Sequence, residues 1–411
     1  MKAYSGYKDS GVEWLGEIPE HWECIRMKHL FKDHSEKNKP NEELLSVTQN
    51  QGVVPRSWVE NRMVMPSGAL ESFKFIKKGD FAISLRSFEG GLEYCYHDGI
   101  ISPAYTVLKT KRKIADNYYK YLFKSFSFIS ELQTSIVGIR EGKNISYPEL
   151  SYSFLPVPVL EEQTAIANFL DEKTAKINQA IAIKEQQIAL LKERKQIIIR
   201  DAVTKGLDKK VKYKDSRVEW IGEIPEHWEV KRLKYILKIR NTKILSKNSD
   251  FKYVGMENIQ SQSGKYIETL SDVEGLSNYF EKGDILFGKL RPYLAKVYLA
   301  KFEGICSTEF IVYYSPFNNF YQKVLLSNDF INFVDSSTYG AKMPRANAEW
   351  IGNIFLPYPT IVEQQAIVSH IETQSSKIDE VVSIKEQEIE KLKEYKMSLI
   401  DSVVTGKVKV C

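Results

Sequence analysis

Nothing in this 411-residue sequence stays apolar for long. No run reaches the ~18 residues that a membrane-spanning helix needs. The N-terminal stretch Met1-Lys2-Ala3-Tyr4-Ser5-Gly6-Tyr7 has no apolar core after its lysine, so no secretory signal is expected. Cysteine is scarce. Cys24, Cys95, Cys306 and Cys411 are scattered without a C-x-x-C pair, which argues against a disulfide scaffold or a zinc cage and fits a reducing cytoplasm. Charge of one sign is also lacking. The formal net charge is only +5, which permits nucleic-acid binding without requiring it.

Catalytic signatures are missing too. Gly138-Ile139-Arg140-Glu141-Gly142-Lys143-Asn144 has one residue too few between its glycines for a phosphate loop, and Asn144 stands where Ser or Thr would hold magnesium. There is no G-x-S-x-G, no H-E-x-x-H and no G-x-G-x-x-G after a strand. No Pro-Pro pair occurs, so the Asn/Asp-Pro-Pro-aromatic motif of amino-methyltransferases is absent. Neither a catalytic nor a metal site is expected. His21 and His227 read as histidines packed or hydrogen-bonded beside a tryptophan. Glu161-Glu162 and Asp171-Glu172 read as helix-start charge and solvated faces.

What the sequence does contain is itself, twice. Residues 7–23, YKDSGVEWLGEIPEHWE, return at 213–229 as YKDSRVEWIGEIPEHWE, with fifteen of 17 positions identical. Leu155-Pro156-Val157-Pro158 and Leu356-Pro357-Tyr358-Pro359 each precede about 40 residues without Pro or Gly, at 161–201 and 362–402. Within those segments KEQQIALLKERK (184–195) answers KEQEIEKLKEYK (385–396) at eight of 12 positions. Apolar residues recur at spacings of three and four: Ile177, Ile181, Ile188, Leu191, Ile198 and Ala202, then Ile378, Val382, Ile389, Leu392, Leu399 and Val403. That period predicts two helices, each with a narrow coiled-coil seam. Lys184, Lys195, Lys385 and Lys396 interrupt the seams at matching places, and Gly206 and Gly406 are suited to stop the helices. A narrow stripe needs a partner. The other copy in the same chain is the expected one, in antiparallel pairing; packing of each helix on its own body is the alternative.

Between motif and helix lie bodies at about 24–154 and 230–355. Their short β-branched and aromatic runs are split by Gly, Asn, Ser and Asp, as in Gly79-Asp80-Phe81-Ala82-Ile83 and Gly283-Asp284-Ile285-Leu286-Phe287. More helical stretches follow near 116–133 and 318–335. The expected fold class is α+β, with two similar mixed domains and two long antiparallel helices. The chain divides as domain 1–157, helix 158–206, domain 207–358 and helix 359–411. Each body carries two turns rich in side chains able to meet DNA. They offer Arg86, Ser87, Arg140, Lys143 and Asn144 in the first copy, and Lys289, Arg291, Lys342, Arg345 and Asn347 in the second. Arg and Lys can donate to guanine and Asn can pair with adenine, although the same groups also bind phosphate without reading sequence.

The doubled WLGEIPEHW and WIGEIPEHW, the Leu-Pro-x-Pro entries followed by Glu162-Gln163 and Glu363-Gln364, and the Gly-Asp strands resemble the specificity subunit of type I restriction–modification enzymes over essentially the whole chain. The resemblance implies two target-recognition domains, each reading one half of a split, asymmetric DNA site, with the paired helices as a ruler. It implies docking of two methyltransferase subunits and, in the full assembly, two restriction subunits. S-adenosylmethionine, ATP and magnesium would belong to those partners. A coiled-coil adaptor that binds no DNA and a stand-alone nuclease are the rival readings.

Overall fold

The computed structural model describes residues 2–59, 70–84, 87–137, 144–247, 249–269, 275–338 and 343–410. The chain divides into two compact units, residues 1–184 with 386–411 and residues 185–385. The two long helices are Leu160–Lys205 and Ile361–Val404. Each starts in one unit and ends in the other, so boundaries drawn at the helix ends do not follow the packing. The reason lies in the cores.

In the first unit, Trp22, Phe31, Phe81, Tyr118, Tyr119, Phe123 and Phe128 are buried together. Ile166, Leu170 and Ile177 of the first helix join that core, as do Leu399, Ile400, Val403 and Val404 of the second. The second unit repeats the plan. Trp228, Phe287, Phe320, Tyr321 and Phe330 pack with Ile199, Ala202 and Val203 of the first helix and with Ile367 and Ile371 of the second. The start of one helix thus lies with the end of the other in each core, which is antiparallel pairing.

The expected seam is present within each unit. Ile177, Ile188, Ile378, Val382, Ile389 and Leu399 are buried, while Ile181, Leu191, Ile198 and Leu392 are half-buried. The four lysines turn out to be cross-helix donors. In the first unit Lys184 pairs with Glu388 at 2.6 Å and Lys396 donates to Asn178 Oδ1 at 2.8 Å. In the second unit Lys195 pairs with Asp379 at 2.8 Å and Lys385 donates to Gln187 Oε1 at 2.7 Å. Their aliphatic stems cover the seam while the charged ends reach its edge.

Both bodies are built around a four-stranded antiparallel sheet with one strand order. The first runs Phe31–Asp33, Thr106–Thr110, Phe81–Ile83, Glu93–Tyr94; the second runs Lys238–Ile239, Phe310–Tyr314, Ile285–Gly288, Val297–Leu299. The repeated Gly-Asp starts the central strand in each. Gly79 and Gly283 both take φ of +93°, a conformation that glycine adopts freely. The following carboxylates close the turn, Asp80 accepting from Lys77 N and Asp284 from Glu281 N, both at 2.9 Å. The expected helical stretches form as Asp116–Leu122 with Phe126–Thr134, and Asn318–Leu326 with Asn328–Ser336.

The repeated motif has a structural purpose that its spacing alone did not show. Glu162, expected as helix-start charge or on a solvated face, lies in the first turn of the helix but is buried, and receives Tyr4 OH at 2.7 Å, Trp22 Nε1 at 3.0 Å and His21 Nε2 at 2.9 Å. Glu363 receives Trp228 Nε1 at 2.9 Å, His227 Nε2 at 2.8 Å and Thr360 Oγ1 at 2.7 Å. Each motif therefore clamps the first turn of a long helix to its body. At the other ends, Gly206 (φ +70°) and Gly406 (φ +78°) follow the two helices; the Gly406 Cα hydrogens face Pro19 and Trp22, where an added Cβ would lie 2.4 Å from Pro19 Cδ.

Burial alone would raise the Glu363 carboxyl, but hydrogen bonds from Trp228, Thr360 and His227 outweigh it and hold the group down at about 2, against 4.5. A lowered folded-state value stabilises the fold at pH above 4.5, and that stability is lost as pH falls through the window toward 2. With its edge about one-third exposed, the expected contribution is ~2 kcal/mol. Denaturant unfolding at pH 7 and pH 3 should show this loss in the parent and a smaller one in Glu363→Gln. Gly406→Ala should cost ~1–3 kcal/mol through overpacking and the left-handed backbone, read as a lower denaturation midpoint at unchanged slope.

Candidate nucleic-acid interface

In the second unit the two turns singled out from the sequence are one structure. Leu290 forms an antiparallel bridge with Arg345. Arg291 N donates to Pro344 O at 2.8 Å and Ala346 N to Lys289 O at 2.9 Å. A third turn joins them, because Lys289 N donates to Glu309 O at 2.9 Å. Lys289, Arg291, Arg345 and Asn347 are thereby gathered on one edge of the body.

Two features mark this edge. Arg291 (φ 50°, ψ 66°) and Ala295 (φ 47°, ψ 50°) both adopt left-handed backbone around the short turn Pro292–Leu294. Such conformations cost of order 1 kcal/mol or more for residues with a Cβ. Here they bracket Tyr293, whose side chain stands 47% exposed. Second, Arg345 is held by a carboxylate along one edge. Its Nε lies 3.0 and 3.1 Å from the two Glu309 oxygens, and its Nη2 lies 2.9 Å from Oε1. The hydrogen bond and charge of Glu309 raise the arginine further above its ordinary value.

Not every expected donor is available. Asn347 is exposed, but its Oδ1 accepts from Glu349 N at 2.8 Å and Trp350 N at 3.1 Å, capping the helix Ala348–Gly352. An adenine contact that uses both ends of the amide would have to break that cap. Ser87 needs a firmer correction. It is fully buried, and its Oγ accepts from Ser84 N at 2.8 Å. The hydroxyl closes the turn into the helix Ser87–Gly90 and does not face a ligand.

Arg86, Arg140, Lys143 and Lys342 lie outside the described residues. Asn144 is placed by its main chain, which pairs with Val137 in a short ribbon. The helix Ser87–Gly90 packs beside the strand Asn144–Ile145, so the two candidate segments of the first unit are also neighbours. Sequence reading missed Glu309 and Tyr293. Glu309 was visible only as the one acid heading an aromatic and aliphatic strand, and Tyr293 as the residue after Arg291-Pro292.

Residues 225–394 match the family model described as the type I restriction modification DNA specificity domain. The MjaVIII specificity subunit of Methanocaldococcus jannaschii is 26% identical, over 96% of this chain and 94% of its own length. The EcoDI specificity subunit of Escherichia coli is 24% identical, over 87% and 82%. The chain is thus similar to type I specificity subunits over nearly its whole length, and residues 225–394 carry the match to their DNA specificity domain. Solved structures agree on the fold. A chain from a study of assembly and conformational transition in a type I system superposes with TM-score 0.69, 13% identity and coverage of 95% of this chain and 99% of that one. The HsdS subunit of Thermoanaerobacter tengcongensis gives TM-score 0.52, 14% identity, and 95% and 98% coverage. No described helix of this chain is long and apolar enough to cross a membrane.

Asn347→Ala should lower stability by about 1 kcal/mol through the lost cap, read as a lower midpoint in thermal unfolding.

Proposed function

We propose that this chain is a specificity subunit that reads a two-part, asymmetric DNA site, one half with each body, and docks two methyltransferase subunits, with two restriction subunits joining in the full complex. The observation that carries the reading is the contrast between frame and edge. Clamp, sheet order and helix pair are the same in both units. The edge that gathers Lys289, Arg291 and Arg345 differs from the first body at a described position, for by strand register Ala104 stands where Glu309 does. One scaffold with two unlike edges suits a non-palindromic site.

The physical logic is that of a bivalent reader. Each body places turns in the major groove, where all four base pairs differ. A stiff connection admits only half-sites at one separation, about one helical turn for a pair of groove readers, and makes the second contact effectively intramolecular. The modest net charge assigns much of the phosphate contact to the partners. Extrusion of the target base and transfer of the methyl group belong to the methyltransferase. S-adenosylmethionine, ATP and magnesium are bound by the partner subunits, and the complex works in the cytoplasm.

Replacing residues 24–154 with the corresponding body of a relative, in the full chain with its methyltransferase, should change one half-site and leave the other half as in the parent. Sequencing of modified DNA reads this directly. A change in both halves, or the absence of any discrete split site, would refute the reading; the latter result is what a protein adaptor without DNA binding gives.

A further inference from the structure

We infer that Glu309 is a positioning residue that presets Arg345 to read a guanine in the half-site recognised by the second body. The inference rests on the recognition reading above and deepens it. A guanidinium has five N–H donors in a fixed plane. Glu309 takes the Nε edge, through Nε at 3.0 and 3.1 Å and Nη2 at 2.9 Å. Among the described residues, both hydrogens of Nη1 and the second hydrogen of Nη2 are left. One hydrogen from each Nη forms the end-on edge, the one that donates two parallel hydrogen bonds to O6 and N7 of guanine.

The pair is anchored at both main chains. Arg345 is bridged to Leu290, and Glu309 O accepts from Lys289 N. The arginine is therefore held in plane before DNA arrives, and little rotamer freedom remains to be lost on binding. A phosphate-binding arginine gains nothing from this arrangement, since an adjacent carboxylate weakens attraction for an anion. Base reading gains from it, because the guanine edge is neutral and asks for direction more than charge. The first body has Ala104 at the matching strand position, so the device belongs to one reader and helps make the two unlike.

The test uses the full chain with its methyltransferase and maps modified sites. Arg345→Ala should relax one guanine position of one half-site by roughly ten- to a hundredfold. Arg345→Lys should not restore it, because a point charge cannot make the planar pair. Glu309→Ala and Glu309→Gln should each relax the same position several-fold, with the other half-site unaltered and the thermal midpoint close to the parent's. Undiminished selectivity in both Glu309 variants would overturn the proposal and leave the recognition reading standing; so would a uniform loss of modification at all sites in Arg345→Ala, the mark of a phosphate contact. A parent complex that modifies no discrete site would instead overturn the recognition reading, and this inference with it.

Discussion

A helix with one narrow apolar stripe cannot keep that stripe in water, and each long helix here meets the need by joining its stripe to that of the other. The rest of the molecule is arranged around this pairing. The first core closes over Ile166 and Leu170 together with Val403 and Val404. The second closes over Ile199 and Val203 together with Ile367 and Ile371. Neither body completes its interior with its own residues, which makes the helix pair part of both domains and not a linker hung between them.

The repeated motif then acquires a physical meaning. Its tryptophan is buried and its histidine half-exposed, and both converge on the first-turn glutamate of the helix that follows. A carboxylate placed there is favoured by the unpaired N–H groups and the dipole at a helix start, and the two ring N–H groups satisfy it from the other side. The neighbouring glutamines, Gln163 and Gln364, donate to Pro158 O and Pro359 O. The Leu-Pro-x-Pro-Glu-Gln pattern is thus a joint between strand and helix.

Much of this frame was legible in the sequence because duplication and period are strong signals. Two near-identical stretches cannot arise by chance, and a stripe repeated in the same register names its own partner. Ile177, Ile188, Ile378, Val382, Ile389 and Leu399 of that stripe are buried, while Ile166, Leu170, Ile367 and Ile371, which fill the two cores, lay outside it. Side-chain roles set by tertiary contact were not legible. Glu162 read as helix-start charge or a solvated face because a carboxylate early in a helix usually faces water, and only the fold brings Tyr4, His21 and Trp22 to it. Ser87 looked like a surface donor because a turn usually faces water, yet its hydroxyl is used within that turn. The seam lysines looked like interruptions because their acceptors lie about 200 residues away in the chain. Glu309 could not be matched to Arg345 for a similar reason: 36 residues separate them, and a bridge between two turns brings them together.

The four cross-helix pairs have an asymmetry with a consequence for ionic strength. Asn178 and Gln187 on the first helix occupy the places that Asp379 and Glu388 hold on the second, 201 residues later. Antiparallel pairing deals one ionic and one amide acceptor to each unit. Dissolved salt weakens the ionic contacts and spares the others, so in each unit a brine loosens one cross-helix contact and leaves its amide neighbour in place.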